Sequence, residues 1–315
     1  MAERFLITGA LGCIGAWTIR RLLDQGVHVV GFDLGSDPHR LRELLTPEEL
    51  AGIELVRGDI TDLPALERAL DDHEVTNLVH LAALQVPFCR DDPPLGAAVN
   101  VVGTVNVFQA VSRRLDRIPR VVYASSAAVY GPDARGAEDE LTRPQTHYGV
   151  YKRANEGNAA IFWTSSRVPS IGLRPFSVYG PVRDQGVTAA PTLAMEAAAR
   201  REPYTIPYGG GVQLQLGRDV ADALIASSRS ATDGARVYNL PGHICSLGEL
   251  IETIEHVVPE AKGLLAYAGE PLPFPDVIEA DTFDREVGGV EWTPLEEGIR
   301  LTVEHARRAA NTGAD

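Results

Sequence analysis

Cysteine is scarce in this 315-residue chain: Cys13, Cys89 and Cys245 stand far apart, with no C-x-x-C pair. An odd number at such spacings argues against a disulfide framework, and no Cys/His cluster of metal-ligand type accompanies them. A reducing compartment is expected. Basic charge is also in short supply. Lys plus Arg number 29 against 43 Asp plus Glu, a net charge of −14, which repels nucleic acid and anionic membrane surfaces. No uninterrupted apolar run reaches the roughly 18 residues of a membrane span. Met1-Ala2-Glu3-Arg4 leads into an apolar stretch of about five residues, too short for the core of a signal peptide. These absences predict a cytoplasmic protein with no nucleic-acid partner, no membrane span and no metal.

What is present is an ordinary globular composition, 44% hydrophobic and 23% charged, long enough for one large domain or two closely joined ones. Short apolar runs at 4–8, 27–33, 53–57, 77–81, 120–124 and 170–174 alternate with segments of helical period at 13–25, 62–72, 95–115 and 148–167. Helical character is weaker around 39–50. This is the pattern of β-α-β units, and it predicts an α/β fold with a Rossmann-type doubly wound parallel sheet. After about residue 175 Gly, Pro and short elements become denser. Helices are expected there at 191–201, 219–230, 247–257 and 294–309, with strands at 204–206, 237–240 and 264–267. The division expected is a dinucleotide-binding part, 1–175, and a smaller, mainly substrate-binding part, 176–315, some of which returns to the core. Segment 269–276 is a proline-stiffened connection that lines a pocket or acts as a spacer.

The first apolar run ends in Thr8-Gly9-Ala10-Leu11-Gly12-Cys13-Ile14-Gly15, a G-x-x-G-x-x-G loop opening a helix. Gly9 permits the turn, Gly12 lets backbone approach a pyrophosphate, Gly15 allows close helix-strand packing, and the helix N-terminus supplies N–H donors. Asp33 closes the second run, where a carboxylate accepts from adenosine ribose hydroxyls and repels a 2′-phosphate, so NAD is expected over NADP. Arg40 is the nearest guanidinium and could accept that phosphate. Asp59 would contact the adenine edge or cap the next helix. Tyr148 and Lys152 form Y-x-x-x-K, one face of a helix, suited to proton transfer because a neighbouring ammonium favours the phenolate. Ser126 follows the strand 120–124, at the end where loops gather over a cofactor.

These residues resemble the extended short-chain dehydrogenase/reductase family, in its NAD-dependent epimerase/dehydratase branch. The resemblance runs along nearly the whole chain, through TGALGCIG (8–15), HLAA (80–83), NVVGTVNVFQA (100–110), SSAAVYG (125–131), YGVYK (148–152), LRPFSVYGP (173–181), GRDVADAL (217–224) and WTPLEEGIRLTVE (292–304). It implies Tyr148 as acid/base, Lys152 as the nicotinamide-ribose ligand that lowers the tyrosine pKa, and Ser126, four residues before Tyr130, as the partner of the reacting oxygen. With it the expected cofactor set is Gly9, Gly12, Cys13, Ile14, Gly15, Asp33, Asp59, Ile60, Leu81, Ala82, Ala83, Asn100, Tyr148, Lys152 and Pro175. The expected substrate set is Gln85, Ser126, Ala127, Tyr148, Ser177 and Arg183. Asn100 is expected to brace the sheet-helix junction, His80 to be a packed strand-end histidine, and Cys13 a space-filler.

The chain also departs from the family pattern. Relatives acting on nucleotide sugars read R-x-x-N-V-Y-G-P, whereas Ser177 replaces the asparagine here. The arginines with which those relatives grip a substrate pyrophosphate have no counterpart, since residues 202–217 and 263–284 contain no Lys or Arg. The sequence therefore favours hydride transfer from a secondary hydroxyl of a sugar-like, non-nucleotide substrate. Its alternatives are a nucleotide-sugar epimerase or dehydratase that retains NAD and, from another class, a non-catalytic NAD-sensing protein. The resemblance further implies a homodimer through helices 95–115 and 148–167.

Overall fold

The computed structural model describes residues 2–273 and 275–312. Its first six strands are β1 (Arg4–Thr8), β2 (His28–Asp33), β3 (Glu54–Arg57), β4 (Asn77–His80), β5 (Val121–Ala124) and β6 (Ser170–Arg174). They are followed by β7 (Ser177–Tyr179), β8 (Tyr204–Ile206), β9 (Gly211–Leu216), β10 (Ala235–Asn239), β11 (His243–Ser246) and β12 (Leu265–Tyr267). Seven of them form one parallel sheet in the order β3-β2-β1-β4-β5-β6-β10. The order reverses between β1 and β4, which opens a crevice beyond the carboxyl ends of those strands. This is the doubly wound α/β sheet that the alternation predicts.

Both faces of the sheet are covered. Ile19 and Leu22 of helix Cys13–Asp24 and Val220 and Leu224 of helix Gly217–Arg229 pack on one face. On the other, Leu66, Leu70, Val107, Phe108 and Val111 join Val30, Leu78 and Val121. A second core binds helices Ala190–Arg200, Leu247–Val257 and Leu295–Thr312 to the smaller sheets. In these, β9 pairs antiparallel with β11 and parallel with β7, and β8 pairs parallel with β12.

Several elements differ from the sequence expectation. The weak helix at 39–50 is two helices, His39–Leu44 and Pro47–Ala51, because Thr46 starts a new one with a capping box to Glu49. β7, β9 and β11 were not expected. In β9 the sequence alternates as Val212-Gln213-Leu214-Gln215-Leu216, yet the polar Gln213 and Gln215 are buried as completely as their apolar neighbours. Gln213 accepts from Ile278 N–H (2.9 Å), Gln215 accepts from Phe176 N–H (2.7 Å), and both donate to the Leu240 carbonyl.

The expected helix 95–115 runs from 93 to 112 and contains a π-turn, Ala98–Val102, between α segments Pro93–Ala97 and Gly103–Ser112. By length and composition it could cross a membrane, but its inner face belongs to the sheet's core. The widened turn directs Asn100 inward. Its side chain accepts from Leu84 N–H (2.7 Å) and donates to the Leu84 carbonyl (2.9 Å), while its own carbonyl accepts from Thr104 Oγ1 and Asn155 Nδ2.

A buried ion pair joins the sheet to helix His147–Ser166. Arg174 at the end of β6 donates from Nε and Nη2 to the two carboxylate oxygens of Glu156 at 2.8 and 2.9 Å, with each side chain about 95% removed from solvent. Ser125 Oγ donates to the same carboxylate at 2.6 Å, and Arg174 Nη1 donates to Tyr130 Oη at 2.6 Å. Removing one member strands a buried charge, so Glu156→Ala should lower the unfolding free energy by about 3–5 kcal/mol. Replacing both members with apolar residues of similar volume should recover most of that loss, as read by denaturant titration.

Candidate active site

A cleft of about 430 Å³ lies over the carboxyl ends of β1, β2, β4 and β5. The glycine loop forms its floor. Gly9 adopts φ +68°, and a Cβ there would stand 2.7 Å from the Ala82 nitrogen. A Cβ on Gly15 would collide with the Gly9 carbonyl. Helix Cys13–Asp24 begins at Gly12 with no side-chain cap, leaving its first N–H groups for an anion. Asp33 stands at the end of β2, where Oδ2 accepts from Leu11 N–H and Oδ1 from Gly35 N–H, each at 2.9 Å. The loop and the carboxylate are thus one preassembled unit, and the cradle fits NAD.

Arg40 is not available to a phosphate in this arrangement. Its Nη1 donates to the Leu11 carbonyl (2.8 Å), and Nε and Nη2 donate to Asp184 Oδ1 at 2.9 and 2.7 Å. The open question about Asp59 is partly resolved as well. Asp59 lines the cleft and accepts from Thr61 N–H and Oγ1, while the next helix is capped by Asp62.

The catalytic candidates meet at the other end of the cleft. Ser126 accepts from Ala128 N–H at 3.1 Å and hydrogen-bonds the Tyr148 hydroxyl. Burial pushes the Tyr148 phenol up to about 12, opposed by Ser126 and the positive charge of Arg183. Lys152, one of two lysines in the chain, is 4% exposed. Its Nζ donates to the Ala124 carbonyl at 2.7 Å and lies 5.5 Å from the centre of the Tyr148 ring. Burial brings this ammonium down to about 8. One turn of helix therefore places a cation beside the phenol, as Y-x-x-x-K requires.

His80 is structural. Thr8 Oγ1 lies 2.7 Å from Nδ1 and Thr104 Oγ1 lies 3.0 Å from Nε2, and burial pushes the ring down to about 3. The Thr8 hydroxyl also accepts from the N–H groups of Leu81 and Ala82, so this chain of contacts fixes the loop after β4. Burial raises the Cys13 thiol to about 11, which suits the space-filling role.

Two expected contacts are corrected. Asn100 does not reach the cleft; it holds Leu84, whose loop lines it. Ser177 is fully buried in β7 with its hydroxyl unpartnered, and its neighbours Phe176 and Val178 face the cleft instead. Every other expected residue lines the cleft: Gly9, Gly12, Cys13, Ile14, Gly15, Asp33, Asp59, Ile60, Leu81, Ala82, Ala83, Gln85, Ser126, Ala127, Tyr148, Lys152, Pro175 and Arg183. Sequence reasoning missed Phe32, Leu34, Val86, Pro87 and Val99, apolar residues that carry no motif. Leu272 and Pro273 show that the 269–276 segment does line the pocket; its Phe274 lies outside the described residues. Among the lining residues the cationic side chains are Lys152 and Arg183.

A family model, NAD dependent epimerase/dehydratase family, matches residues 5–240. The chain is 32% identical to a UDP-glucose 4-epimerase of Mycolicibacterium smegmatis, with 96% of this chain and 98% of the relative covered. Among solved structures it is similar to a UDP-glucose 4-epimerase of Thermus thermophilus in complex with NAD, at TM-score 0.81 and 26% identity over 98% of this chain and 100% of that one. It is likewise similar to MoeE5 in complex with UDP-glucose and NAD, at TM-score 0.81 and 28% identity with the same coverage. With the glycine loop and the Ser126, Tyr148 and Lys152 set in place, the chain belongs to the NAD-dependent epimerase/dehydratase family and is an NAD-dependent enzyme.

Proposed function

We propose that the protein is a nucleotide-sugar epimerase that oxidises a secondary hydroxyl of its substrate and then reduces the resulting ketone from the opposite face. The observation that carries this reading is the full-length similarity to a UDP-glucose 4-epimerase, joined to a Tyr148 hydroxyl held by Ser126 in the cleft. NAD, when bound, supplies a hydride acceptor that can also return the hydride. Tyr148 removes the hydroxyl proton, with Ser126 holding the same oxygen. The Lys152 ammonium lowers the cost of the phenolate, which burial alone would leave high. On the return step Tyr148 gives the proton back.

A second reading, favoured by the sequence, is net dehydrogenation of a non-nucleotide, sugar-like substrate. Its support is the cation-poor substrate side. Gln213 and Gln215 are turned to backbone groups, Leu272 and Pro273 face the cleft, and Arg183 is the cation left for a diphosphate. The two readings are separated by incubating the NAD-loaded enzyme with UDP-glucose and, in parallel, with free sugars, aldonates and polyols. Epimerisation predicts conversion to UDP-galactose with no net NADH. Accumulation of NADH with a free sugar, and none of that conversion, would select the second reading.

In either case Tyr148→Phe should lower kcat by about a hundredfold or more while leaving NAD affinity nearly unchanged. A variant keeping half its activity would end the assignment. We assign residues 1–175 to NAD and most of 176–315 to substrate. Three buried, unpaired cysteines suit a reducing cytoplasm. A homodimer accounts for exposed Leu95, Val102, Val150 and Ile161 on the two helices 93–112 and 147–166. Light scattering should then return about twice the 33.9 kDa of one chain, and a 33.9 kDa particle would refute it.

A further inference from the structure

The NAD cradle is reached by a residue from far outside it. Asp184 follows β7 in the segment that also carries Arg183, and it crosses to Arg40, 144 positions earlier. Arg40 is bound on three sides, to Asp184 through Nε and Nη2 and to the Leu11 carbonyl through Nη1. Its side chain is 11% exposed. His39 Nε2 lies 3.3 Å from the other oxygen of Asp184. The same Leu11 whose carbonyl holds Arg40 gives its N–H to Asp33. One residue of backbone therefore separates this guanidinium from the carboxylate that faces the adenosine ribose.

A guanidinium at that place is the feature by which a dinucleotide site takes a 2′-phosphate, because its planar donors match phosphate oxygens. The sequence alone leaves Arg40 open to that role. In the folded chain its charge is met by a carboxylate, and its donors are spent on Asp184 and Leu11. The carboxylate also adds a second negative charge near Asp33. We propose that Asp184 is a cofactor-selectivity residue: by holding Arg40 it denies the 2′-phosphate of NADP a counter-charge, and Asp33 and Asp184 exclude that cofactor together. NAD, which has free hydroxyls there, needs nothing from Arg40. The inference concerns binding and is independent of which reaction the enzyme performs.

The test is calorimetric titration of the full-length protein, freed of nucleotide, with NAD and with NADP. Asp184→Ala releases Arg40 and should tighten NADP by about tenfold to a hundredfold, the scale of a charge-assisted hydrogen bond, with NAD changed much less. Arg40→Gln alone should leave the wild-type preference for NAD in place, since the guanidinium is already engaged. The double variant Asp184→Ala/Arg40→Gln should lose the NADP gain. Asp184→Asn, which keeps the side chain's shape, is read in the same way if the alanine variant does not fold. NADP affinity unchanged in the folded Asp184 variants would overturn the proposal, and so would a gain that survives removal of Arg40. A wild-type preference that collapses on Arg40→Gln would overturn it too.

Discussion

The ion pair between Arg174 and Glu156 is the contact on which the active-site geometry rests. Glu156 lies one turn beyond Lys152 and two beyond Tyr148 on the same helix, and Arg174 ends the strand beside β5. Ser125 reaches the same carboxylate immediately before Ser126. Strand, helix and serine turn are therefore indexed to one another through a single buried charge. Such a pair adds little net stability over a well-packed apolar replacement. Its consequence is positional, since a phenol and a hydroxyl must meet within hydrogen-bond reach to share a proton.

The parts of the fold that were legible in the sequence are those whose cause is local. The glycine loop reads directly because backbone approach and positive φ at Gly9 demand glycine. Tyr148 and Lys152 read from helical spacing, and β1, β2 and β4 to β6 from apolar runs largely buried in the sheet, whereas the edge strand β3 stays mostly exposed. What was not legible depends on distant partners. Gln213 and Gln215 look like surface residues until Leu240, Ile278 and Phe176 are brought to them. Ser177 was placed in the cleft by its motif, but strand alternation turns it inward and leaves Phe176 and Val178 facing the cleft. The role of Arg40 could not be read without Asp184.

The chemistry and the electrostatics of the cleft come from different sources. Its cofactor end is fixed by backbone N–H groups and one carboxylate, so a net charge of −14 does not prevent a dinucleotide pyrophosphate from binding at a helix N-terminus. Away from the glycine loop, the cleft lining includes the cationic Arg183 together with the apolar Phe176, Val178, Leu272 and Pro273. Ser126, Tyr148 and Lys152 thus come from segments separate from the one that carries Arg183.

The π-turn at Ala98–Val102 has a consequence for how this helix tolerates change in length. A π-turn holds one residue more than the α-helix around it needs, so losing a single residue there would leave the backbone able to close into regular α geometry. Each residue of helix accounts for about 100° of rotation. The wide turn already absorbs that angle, so the flanking α segments would keep their facing, while the turn that directs Asn100 to Leu84 would be lost. The helix would survive while the loop after β4 lost its brace, so within this turn chain length encodes the shape of the pocket and not the stability of the helix.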